Sequence, residues 1–230
     1  MIKQLLRKTK IFQLIKLLLF PGIDLHTRCR YKILPKYFLK GDITTLDAGC
    51  GNGCLAYAAY KNGNNVTWVS FEDALIERNR DFYNFLNVDS NRLCFKIPNL
   101  YKVEELGCKF DQTICSETLE HIKDDKQIIK SFYNILNAKC VLHLCCPYSL
   151  HPEHCRGRVN ELEDGGHVRD AYTQESYEEL LKSNGFKIVE YVGIGSPILV
   201  TLDNFIRSIS STFGELFFMP FSLYVKCVKK

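Results

Sequence analysis

The sequence predicts an α/β fold in which helices cover both faces of a mostly parallel sheet, which gives three layers. Three observations support this prediction: strand and helix patterns alternate from residue 43 onward, a glycine-rich turn follows the first strand, and several helices have recognisable end signals. At 230 residues the chain is long enough for one large domain with appendages.

Strand and helix patterns can be placed by their periodicity. Strands are predicted at 43–48, 66–71, 92–97, 110–115, 139–146, 186–193 and 221–228, and helices at 53–62, 73–86, 124–137, 173–184 and about 198–216. Asp124 with Gln127 forms a capping-box pair, Thr173 suits an N-cap, and Gly185 suits the end of a helix. Strands that alternate with helices in this way form a mostly parallel sheet.

The first strand leads into the sequence I-T-T-L-D-A-G-C-G-N-G-C, from Ile43 to Cys54. Asp47 stands at the carboxyl end of the strand, where open α/β sheets bind ligands. The glycines that follow, which allow a tight turn and a close ligand, are Gly49, Gly51 and Gly53. A dinucleotide fingerprint, G-x-G-x-x-G, would require glycine at the position of Cys54. A glycine turn that merely closes an ordinary α/β unit is the alternative.

The pattern D-x-G-x-G-x-G resembles the first motif of class I S-adenosylmethionine-dependent methyltransferases. The segment F-D-Q-T-I-C-S-E-T-L-E-H-I, from Phe110 to Ile122, resembles the fourth-strand motif of their small-molecule (type 11-like) group, which includes quinone and sugar enzymes. The resemblance implies a three-layer αβα Rossmann-like methyltransferase fold with seven strands, the last one antiparallel. It also implies S-adenosylmethionine as cofactor, whose α-ammonium group and sulfonium suit the carboxylate of Asp47.

The family usually places an acid at the end of the second strand, where it binds the ribose hydroxyls. Here Ser70 occupies that position, so we expect Glu72, two residues on, to make the contact. The alternative is that Glu72 and Asp73 only stabilise the start of the next helix through its dipole.

The resemblance assigns further cofactor contacts after the third and fourth strands. Asn99 and Leu100 lie where the family has an acid and an apolar residue against the adenine, although ordinary loop residues are an alternative. Ser116 and Glu117 would lie beside the methionine moiety.

Glu117, Glu120 and His121 form the pattern E-x-x-E-H, which resembles the metal-binding motif of small-RNA 3′-terminal 2′-O-methyltransferases. A further ligand would be needed, and His167 is available. Because this pattern without a fixed ligand set is common in metal-free relatives, we predict no metal site.

A long loop follows the fifth strand, and we predict a lid at 148–172. Within it, G-G-H-V-R-x-x-Y-T resembles a segment of bacterial methyltransferases, and His167 is the candidate general base because the unperturbed pKa of histidine lies near neutrality. A histidine that only holds the loop in place is the alternative. His154, Arg169 and Tyr172 are secondary candidates for substrate contacts.

Positive charge is concentrated in residues 1–40, which hold ten Lys and Arg against one acid, so this extension is +9 and the remainder is −5. Residues 2–20 predict a basic amphipathic helix, whose longest apolar run, Leu17 to Phe20, is too short to span a bilayer. The helix either packs on the domain with its lysines in water or lies on an anionic membrane surface or along the path of an acidic substrate. The eleven scattered cysteines indicate reduced thiols in a cytoplasmic protein.

These observations predict a methyltransferase domain over residues 41–230 that follows the extension 1–40. The expected reaction is O-methylation of a small molecule or of a glycan or lipid-linked acceptor. An RNA 2′-O-methyltransferase, including a metal-dependent form, and a quinone-type enzyme are alternatives, as is a binding protein without turnover. A nucleic-acid partner is disfavoured because no aromatic-basic binding module is present. The apolar segment 197–221 packs in the core or forms a wall for a hydrophobic acceptor.

Overall fold

The computed structural model describes residues 9–22, 25–49, 51–70, 73–96, 99–149, 159–195 and 221–230. The chain forms two compact units: Met1–Ile114 with Ile135–Asn137, and Cys115–Asn134 with Ala138–Lys230. Within the described ranges, no helix combines the length and apolar composition needed to cross a membrane.

The helices among these residues are α1 (Lys10–Leu18), α2 (Leu25–Ile33), α3 (Cys54–Lys61), α4 (Asp73–Phe85), α5 (Asp125–Ile135) and α6 (Gln174–Ser183). The strands are β1 (Thr44–Ala48), β2 (Asn65–Val69), β3 (Leu93–Lys96), β4 (Phe110–Ser116), β5 (Leu136–Pro147), β6 (Phe186–Ile194) and β7 (Ser222–Lys229). Short 3₁₀ turns occupy Leu34–Lys36, Leu100–Leu106 and Leu119–His121.

The seven strands form one sheet in the order β3-β2-β1-β4-β5-β7-β6. β1 pairs in parallel with β2 and β4, and β2 with β3, whereas β7 runs antiparallel to β5 and β6. This confirms the predicted fold, including the antiparallel last strand. The predicted helix at 198–216 lies outside the described residues, and the N-terminal helix is described only from Lys10 to Leu18.

In the first unit, β1 lies between β2 and β4, and every residue of the strand after Thr44 is buried, on both faces. A buried polar network ties the strand starts together: Thr45 Oγ1 donates to Asn64 Oδ1 at 3.0 Å, and Gln112 Nε2 donates to both oxygens, at 3.1 and 3.2 Å. The Asn64 amide also donates to the carbonyl oxygens of Leu39 and Gly41. These bonds satisfy buried polar atoms and fix the chain that enters β1.

Helix α1 packs in the opposite sense to an ordinary amphipathic helix. Gln13 is only 5% exposed, whereas the apolar Ile11, Leu14 and Leu18 are 71%, 50% and 82% exposed. Lys16 Nζ lies 3.3 Å from Asn79 Oδ1 and 4.1 Å from the centroid of the Phe82 ring, both on α4. Burial and the nearby Arg78 lower the pKa of Lys16 to about 8. Helix α1 therefore packs on the domain, as one alternative predicts, but it does so through Lys16, while Lys10 and several apolar residues are exposed. A contact with a membrane or an acidic substrate stays a prediction.

In the second unit, the predicted helix ends are confirmed. Asp124 Oδ1 accepts from the Gln127 N–H at 2.9 Å, and Thr173 forms a capping box with Ser176 at the start of α6. Gly185, with φ of 84°, follows α6 in the left-handed conformation that ends helices. These ends fix where α5 and α6 begin and hence where the loop between β5 and α6 returns to the fold.

Candidate active site

The glycine turn, residues Asp47 to Cys54, leaves β1 through three left-handed glycines. Gly49, Gly51 and Gly53 have φ of 79°, 52° and 73°, values that other residues adopt only with strain. At Gly53 a Cβ would also lie 2.6 Å from the hydroxyl of Tyr83, so that position excludes any side chain. The glycine spacing read from the sequence is therefore required by the backbone.

Two side chains of α4 fasten the glycine turn, and sequence reasoning missed both. The Tyr83 hydroxyl donates to the Gly53 carbonyl at 2.7 Å, and Asn79 Nδ2 donates to the Gly51 carbonyl at 3.2 Å. Residues four apart share one face of a helix, so the sequence does carry this signal once the turn is known to face α4. Because the carbonyls of Gly51 and Gly53 accept these hydrogen bonds, Asn79 and Tyr83 hold the turn in one conformation.

Asp47 is the most unusual titratable group of the first unit. It is 1% exposed, and neither carboxylate oxygen has a hydrogen-bond partner of normal geometry among the described residues. Burial raises its pKa to about 7, although the backbone N–H of Ala56 partly offsets this. A buried carboxylate of this kind is costly unless a cation meets it. The α-ammonium group of S-adenosylmethionine fits this requirement, and a pyrophosphate does not.

The other predicted cofactor contacts of the first unit stay predictions. Glu72 lies outside the described residues, and Ser70 is buried at the end of β2. Asn99 is exposed, and its side chain caps the following 3₁₀ turn by accepting from the Tyr101 N–H at 3.0 Å. Leu100 is 8% exposed. An apolar residue beside a capping amide is compatible with an adenine contact.

In the second unit, the chain leaves β4 through a strained residue, Glu117, with φ of 52°. Its N–H donates to the Cys145 carbonyl at 2.7 Å, and its Oε1 accepts from the Ser222 hydroxyl at 3.0 Å. The Ser116 hydroxyl, just before it, is buried without a hydrogen-bond partner among the residues described. Strain at this position and a buried hydroxyl are typical of a functional site, and a contact of both residues with the cofactor stays a prediction.

Glu120, His121 and His167, named the histidine cluster from here on, come together in this unit. Their ligand-type atoms all lie within 4.8 Å of one another. The carboxylate of Glu120 is buried, while His121 and His167 are partly exposed. Burial, and next the neighbouring His121, lower the pKa of His167, which keeps its imidazole neutral at pH 7. No metal site was predicted from the sequence of these residues, and a general-base role of His167 stays a prediction.

Within the predicted lid, residues 159–172 are fastened to the segment that holds Glu120. Arg169 Nη1 lies 2.6 Å from Asp125 Oδ2, and the Tyr172 hydroxyl donates to the same oxygen at 2.8 Å. A second Arg169 nitrogen donates to the Lys123 carbonyl at 2.9 Å. Arg169 and Tyr172, proposed as substrate contacts, therefore anchor the loop internally. His154, the other candidate, lies outside the described residues.

A buried acid and a left-handed glycine turn at the carboxyl end of a parallel strand, within a sheet whose last strand is antiparallel, define the class I methyltransferase architecture. A family model described as "Methyltransferase domain" matches residues 23–191. The chain belongs to this methyltransferase family, which confirms the predicted enzyme class and its cofactor, S-adenosylmethionine.

Curated relatives match over shorter stretches. A ubiquinone biosynthesis O-methyltransferase from Coxiella burnetii is 35% identical over 86 residues, which is 37% of this chain and 36% of the relative. One of the same name from Idiomarina loihiensis is 28% identical over 178 residues, 71% of this chain and 68% of the relative. The chain thus matches only about a third of the Coxiella relative's length, so that protein's activity does not transfer directly.

Solved structures agree in fold. A putative S-adenosylmethionine-dependent methyltransferase from Listeria monocytogenes has a TM-score of 0.66 at 16% identity, over 88% of this chain and 97% of that one. Magnesium protoporphyrin IX methyltransferase from Synechocystis, with S-adenosylhomocysteine bound, has a TM-score of 0.60 at 17% identity, over 89% and 82%. The [4+2]-cyclase SpnF is similar too, with a TM-score of 0.62 at 15% identity over 89% and 79%. Likeness at this level of identity shows the fold alone.

Proposed function

We propose that the protein transfers the methyl group of S-adenosylmethionine to a hydroxyl oxygen of a small acceptor. The observation that carries this proposal is the histidine cluster, because imidazole and carboxylate groups accept the proton of a hydroxyl. The name of the partly matched relatives, ubiquinone biosynthesis O-methyltransferase, supports an oxygen acceptor.

The chemistry divides between cofactor and protein. The chemistry that S-adenosylmethionine would supply when bound is an activated methyl group, whose bond to the positively charged sulfur would be replaced by a bond to the acceptor oxygen, with S-adenosylhomocysteine and one proton as the other products. Asp47 holds the α-ammonium group, and the neutral His167 imidazole takes the hydroxyl proton. The protein otherwise aligns the reactants and excludes water.

Replacing His167 tests the proposal. General-base catalysis contributes about 10²- to 10⁴-fold to turnover, so His167→Asn should lower kcat by that factor while the Kd for S-adenosylhomocysteine changes less than about threefold. His26→Asn, a histidine of α2 outside the cluster, is the matched control. Calorimetry and a methyl-transfer assay over phenols, glycosides and lipid-linked alcohols measure the two quantities. Equal losses in turnover and in cofactor affinity would instead assign His167 a structural role.

The exposed apolar residues of α1 indicate an acceptor that is itself apolar or lipid-linked, as in the quinone-type and glycan alternatives. A groove lined by Phe12, Ile15 and Phe20 runs beside this helix, with Asn52 of the glycine turn at its edge. The extension 1–40 adds a charge of +9. Apolar residues among positive charges bind an anionic membrane surface, from which such an acceptor could be taken.

Vesicle binding tests the role of α1. The protein should sediment with phosphatidylglycerol vesicles and not with phosphatidylcholine vesicles, and Ile11→Ser with Leu18→Ser should abolish sedimentation without changing the melting temperature. Val189→Ser, an exposed apolar residue of β6, is the control. Unchanged sedimentation of the double variant would remove the membrane from the proposal and leave a soluble acceptor.

A second candidate, an RNA 2′-O-methyltransferase, is favoured by one observation, the joining of His167 to the E-x-x-E-H motif. It predicts methylation of an RNA oligonucleotide but not of its 2′-deoxy counterpart. It also predicts RNA affinity that falls steeply with salt, because phosphate contacts by the basic extension release counterions. Absence of both results would eliminate this candidate.

A further inference from the structure

The groove beside α1 is bounded by one face of that helix, by α4 and by the glycine turn. The side chains that α1 and its C-cap contribute recur at spacings of three and four, so they form one stripe along the helix: Phe12, Ile15, Lys16 and Leu19. Arg78 of α4 and Asn52 of the turn also line the groove. Its volume of about 350 Å³ lies in the range of about 300–1,000 Å³ that small-molecule sites have.

This stripe differs from the face of α1 that is proposed to meet a membrane. Ile11 and Leu18 are each one residue away from a member of the stripe, which turns them by about 100° around the helix axis. Within the stripe, Phe12, Ile15 and Leu19 are 37%, 49% and 43% exposed. Covering such half-exposed apolar side chains is favourable. A ligand with a hydrocarbon chain can therefore bind along the stripe while Ile11 and Leu18 stay exposed.

The charged residues of the groove are two cations, Lys16 and Arg78, and no acid is among the described residues that line it. Lys16 Nζ lies 3.3 Å from Asn79 Oδ1 and 3.5 Å from the Arg78 carbonyl oxygen, both of which are neutral acceptors. Burial and the charge of Arg78 lower the pKa of Lys16 to about 8, and Asp81, which does not line the groove, offsets this only in part. An anion in the groove would stabilise both positive charges.

A phosphate monoester is the anion that suits this pair of cations. Its charge at pH 7 is about −1.5 to −2, whereas a carboxylate would neutralise only one of the two. An ammonium group has three donors, of which two in Lys16 have acceptors among the described residues, so one is left for a ligand oxygen. The guanidinium of Arg78 can bind two phosphate oxygens at once. The groove thus combines a phosphate-binding pair with an apolar stripe.

Two asparagines join the groove to the glycine turn. Asn79 accepts from Lys16 Nζ through Oδ1 at 3.3 Å and donates to the Gly51 carbonyl through Nδ2 at 3.2 Å. Asn52, itself part of the turn, donates from Nδ2 to the Pro21 carbonyl at 2.8 Å. A ligand that holds Lys16 in place therefore also holds Asn79 and the Gly51 carbonyl. Groove ligand and cofactor should then strengthen each other's binding, and by the same factor, because coupling between two sites is reciprocal.

We propose that the groove binds a lipid with one hydrocarbon chain and a phosphate monoester as its head group. The phosphate lies against Lys16 and Arg78, and the chain covers Ile15 and Leu19. Binding of this lipid is coupled to binding of the cofactor through Asn79. The use of the lipid in methyl transfer rests on the proposed function, in which the acceptor is apolar or lipid-linked, whereas its binding does not.

Calorimetry of the full-length protein with decyl phosphate, kept below the concentration at which it forms micelles, tests the site. One molecule should bind per chain, and decanol, decanoate and inorganic phosphate should each bind at least about tenfold more weakly. Lys16→Gln and Arg78→Gln should each weaken binding about 10- to 100-fold, because each removes a hydrogen bond between charged groups. Lys10→Gln, which removes an exposed cation of α1 outside the groove, is the matched control and should change the Kd less than about threefold.

Two further measurements test the chain and the coupling separately. Ile15→Ser with Leu19→Ser should weaken binding of decyl phosphate about tenfold, because less apolar surface is covered. Ile11→Ser with Leu18→Ser, on the outer face of α1, should leave this affinity unchanged. Saturating S-adenosylhomocysteine should lower the Kd for decyl phosphate about fivefold, and Asn79→Ala should remove that factor.

Absence of saturable binding, which a second copy or another segment of the chain seated in the groove would also cause, would overturn the proposal. So would decanoate that binds as tightly as decyl phosphate, or Lys16→Gln and Arg78→Gln variants that bind as the wild type does. An affinity that is the same with and without S-adenosylhomocysteine would overturn the coupling. Circular dichroism checks that each variant folds, and Lys16→Met replaces Lys16→Gln if the latter does not.

The readout does not depend on methyl transfer, so the two failures are distinguishable. Binding of decyl phosphate without methylation of any acceptor would contradict the proposed function only. Methylation of a hydroxyl acceptor by a protein that binds no decyl phosphate would contradict the lipid phosphate site only.

Discussion

The glycine turn of the first unit is one continuous stretch of sequence, whereas the histidine cluster of the second unit joins two segments. Gly166, whose carbonyl orients His121, lies 45 residues away from it in sequence. The turn is fixed by conformation, through left-handed glycines, and by side chains of α4. The cluster is fixed by contacts between backbones and by the Arg169–Asp125 ion pair.

Because of this difference, we expect the glycine turn and the histidine cluster to tolerate sequence changes differently. A continuous turn of glycines can hold one ligand in the same way in every relative that keeps it. The histidine cluster combines the segment before α5 with a long loop, so changes in the loop alone can change which acceptor binds. We therefore expect the first unit to account for the cofactor and the second unit to account for the acceptor.

The largest effect is expected at Asp47. An acid whose pKa is raised in the folded state binds more protons folded than unfolded, so its contribution to stability falls as pH rises from about 4 and levels off above about 7. Each pKa unit corresponds to about 1.4 kcal/mol, which gives a loss of about 2–3 kcal/mol between pH 5 and pH 8. Asp47→Asn should abolish that share of the pH dependence, measured as the difference between wild type and variant in urea unfolding.

The same substitution should weaken the cofactor. Loss of the charge that meets the α-ammonium group should reduce S-adenosylhomocysteine affinity by about 100-fold, within the 2–5 kcal/mol typical of a buried charge pair. A variant that is more stable at pH 8 yet binds less cofactor would show that Asp47 is kept for binding. If Asp47→Asn binds the cofactor as tightly as the wild type does, the proposed contact of Asp47 with the cofactor is contradicted.

Local features of both units could be predicted from the sequence, whereas contacts between distant segments could not. Strand and helix periods and the glycine spacing are local properties, and the helix ends at Thr173 and Gly185 are set by residues within one turn. The roles of Asn79 and Tyr83 depend on which face of α4 meets the turn, which only packing decides. The pairing of His167 with Glu120 depends on how a long loop returns, for which periodicity gives no information.

Two regions show what the sequence alone does not distinguish. Arg169 and Tyr172 are polar residues in a functional loop, and sequence alone does not distinguish a side chain that meets substrate from one that meets Asp125. In α1 several apolar residues are exposed, whereas the charged Lys16 packs on Phe82. In both cases the partner lies far away in sequence.

A smaller effect, on the second unit alone, is expected from Gly166→Ala. A Cβ at Gly166 would lie 1.9 Å from Asn160 Nδ2, whereas one at Gly165 meets nothing within 4 Å, although φ there is 98°. Overpacking of this kind costs about 1–3 kcal/mol. The variant should lower turnover about tenfold while cofactor affinity is unchanged. Gly166→Ala combined with Asn160→Ala should recover most of the loss. If Asn160→Ala also restored the turnover of a Gly165→Ala variant, a purely steric cause at Gly166 would be contradicted.

The smallest effect, on the first unit alone, is expected from Tyr83→Phe. The substitution removes the 2.7 Å bond to the Gly53 carbonyl but keeps the aromatic ring against Trp68 and Phe95. A hydrogen bond of this kind contributes about 1 kcal/mol, so cofactor affinity should fall about fivefold. Tyr60→Phe is the control, because its hydroxyl accepts from the Asp89 N–H instead. The Tyr83 hydroxyl bonds to a backbone atom of the turn, so a loss of cofactor affinity would show that the conformation of the turn determines affinity. An unchanged Kd would mean that the three left-handed glycines hold the turn without α4.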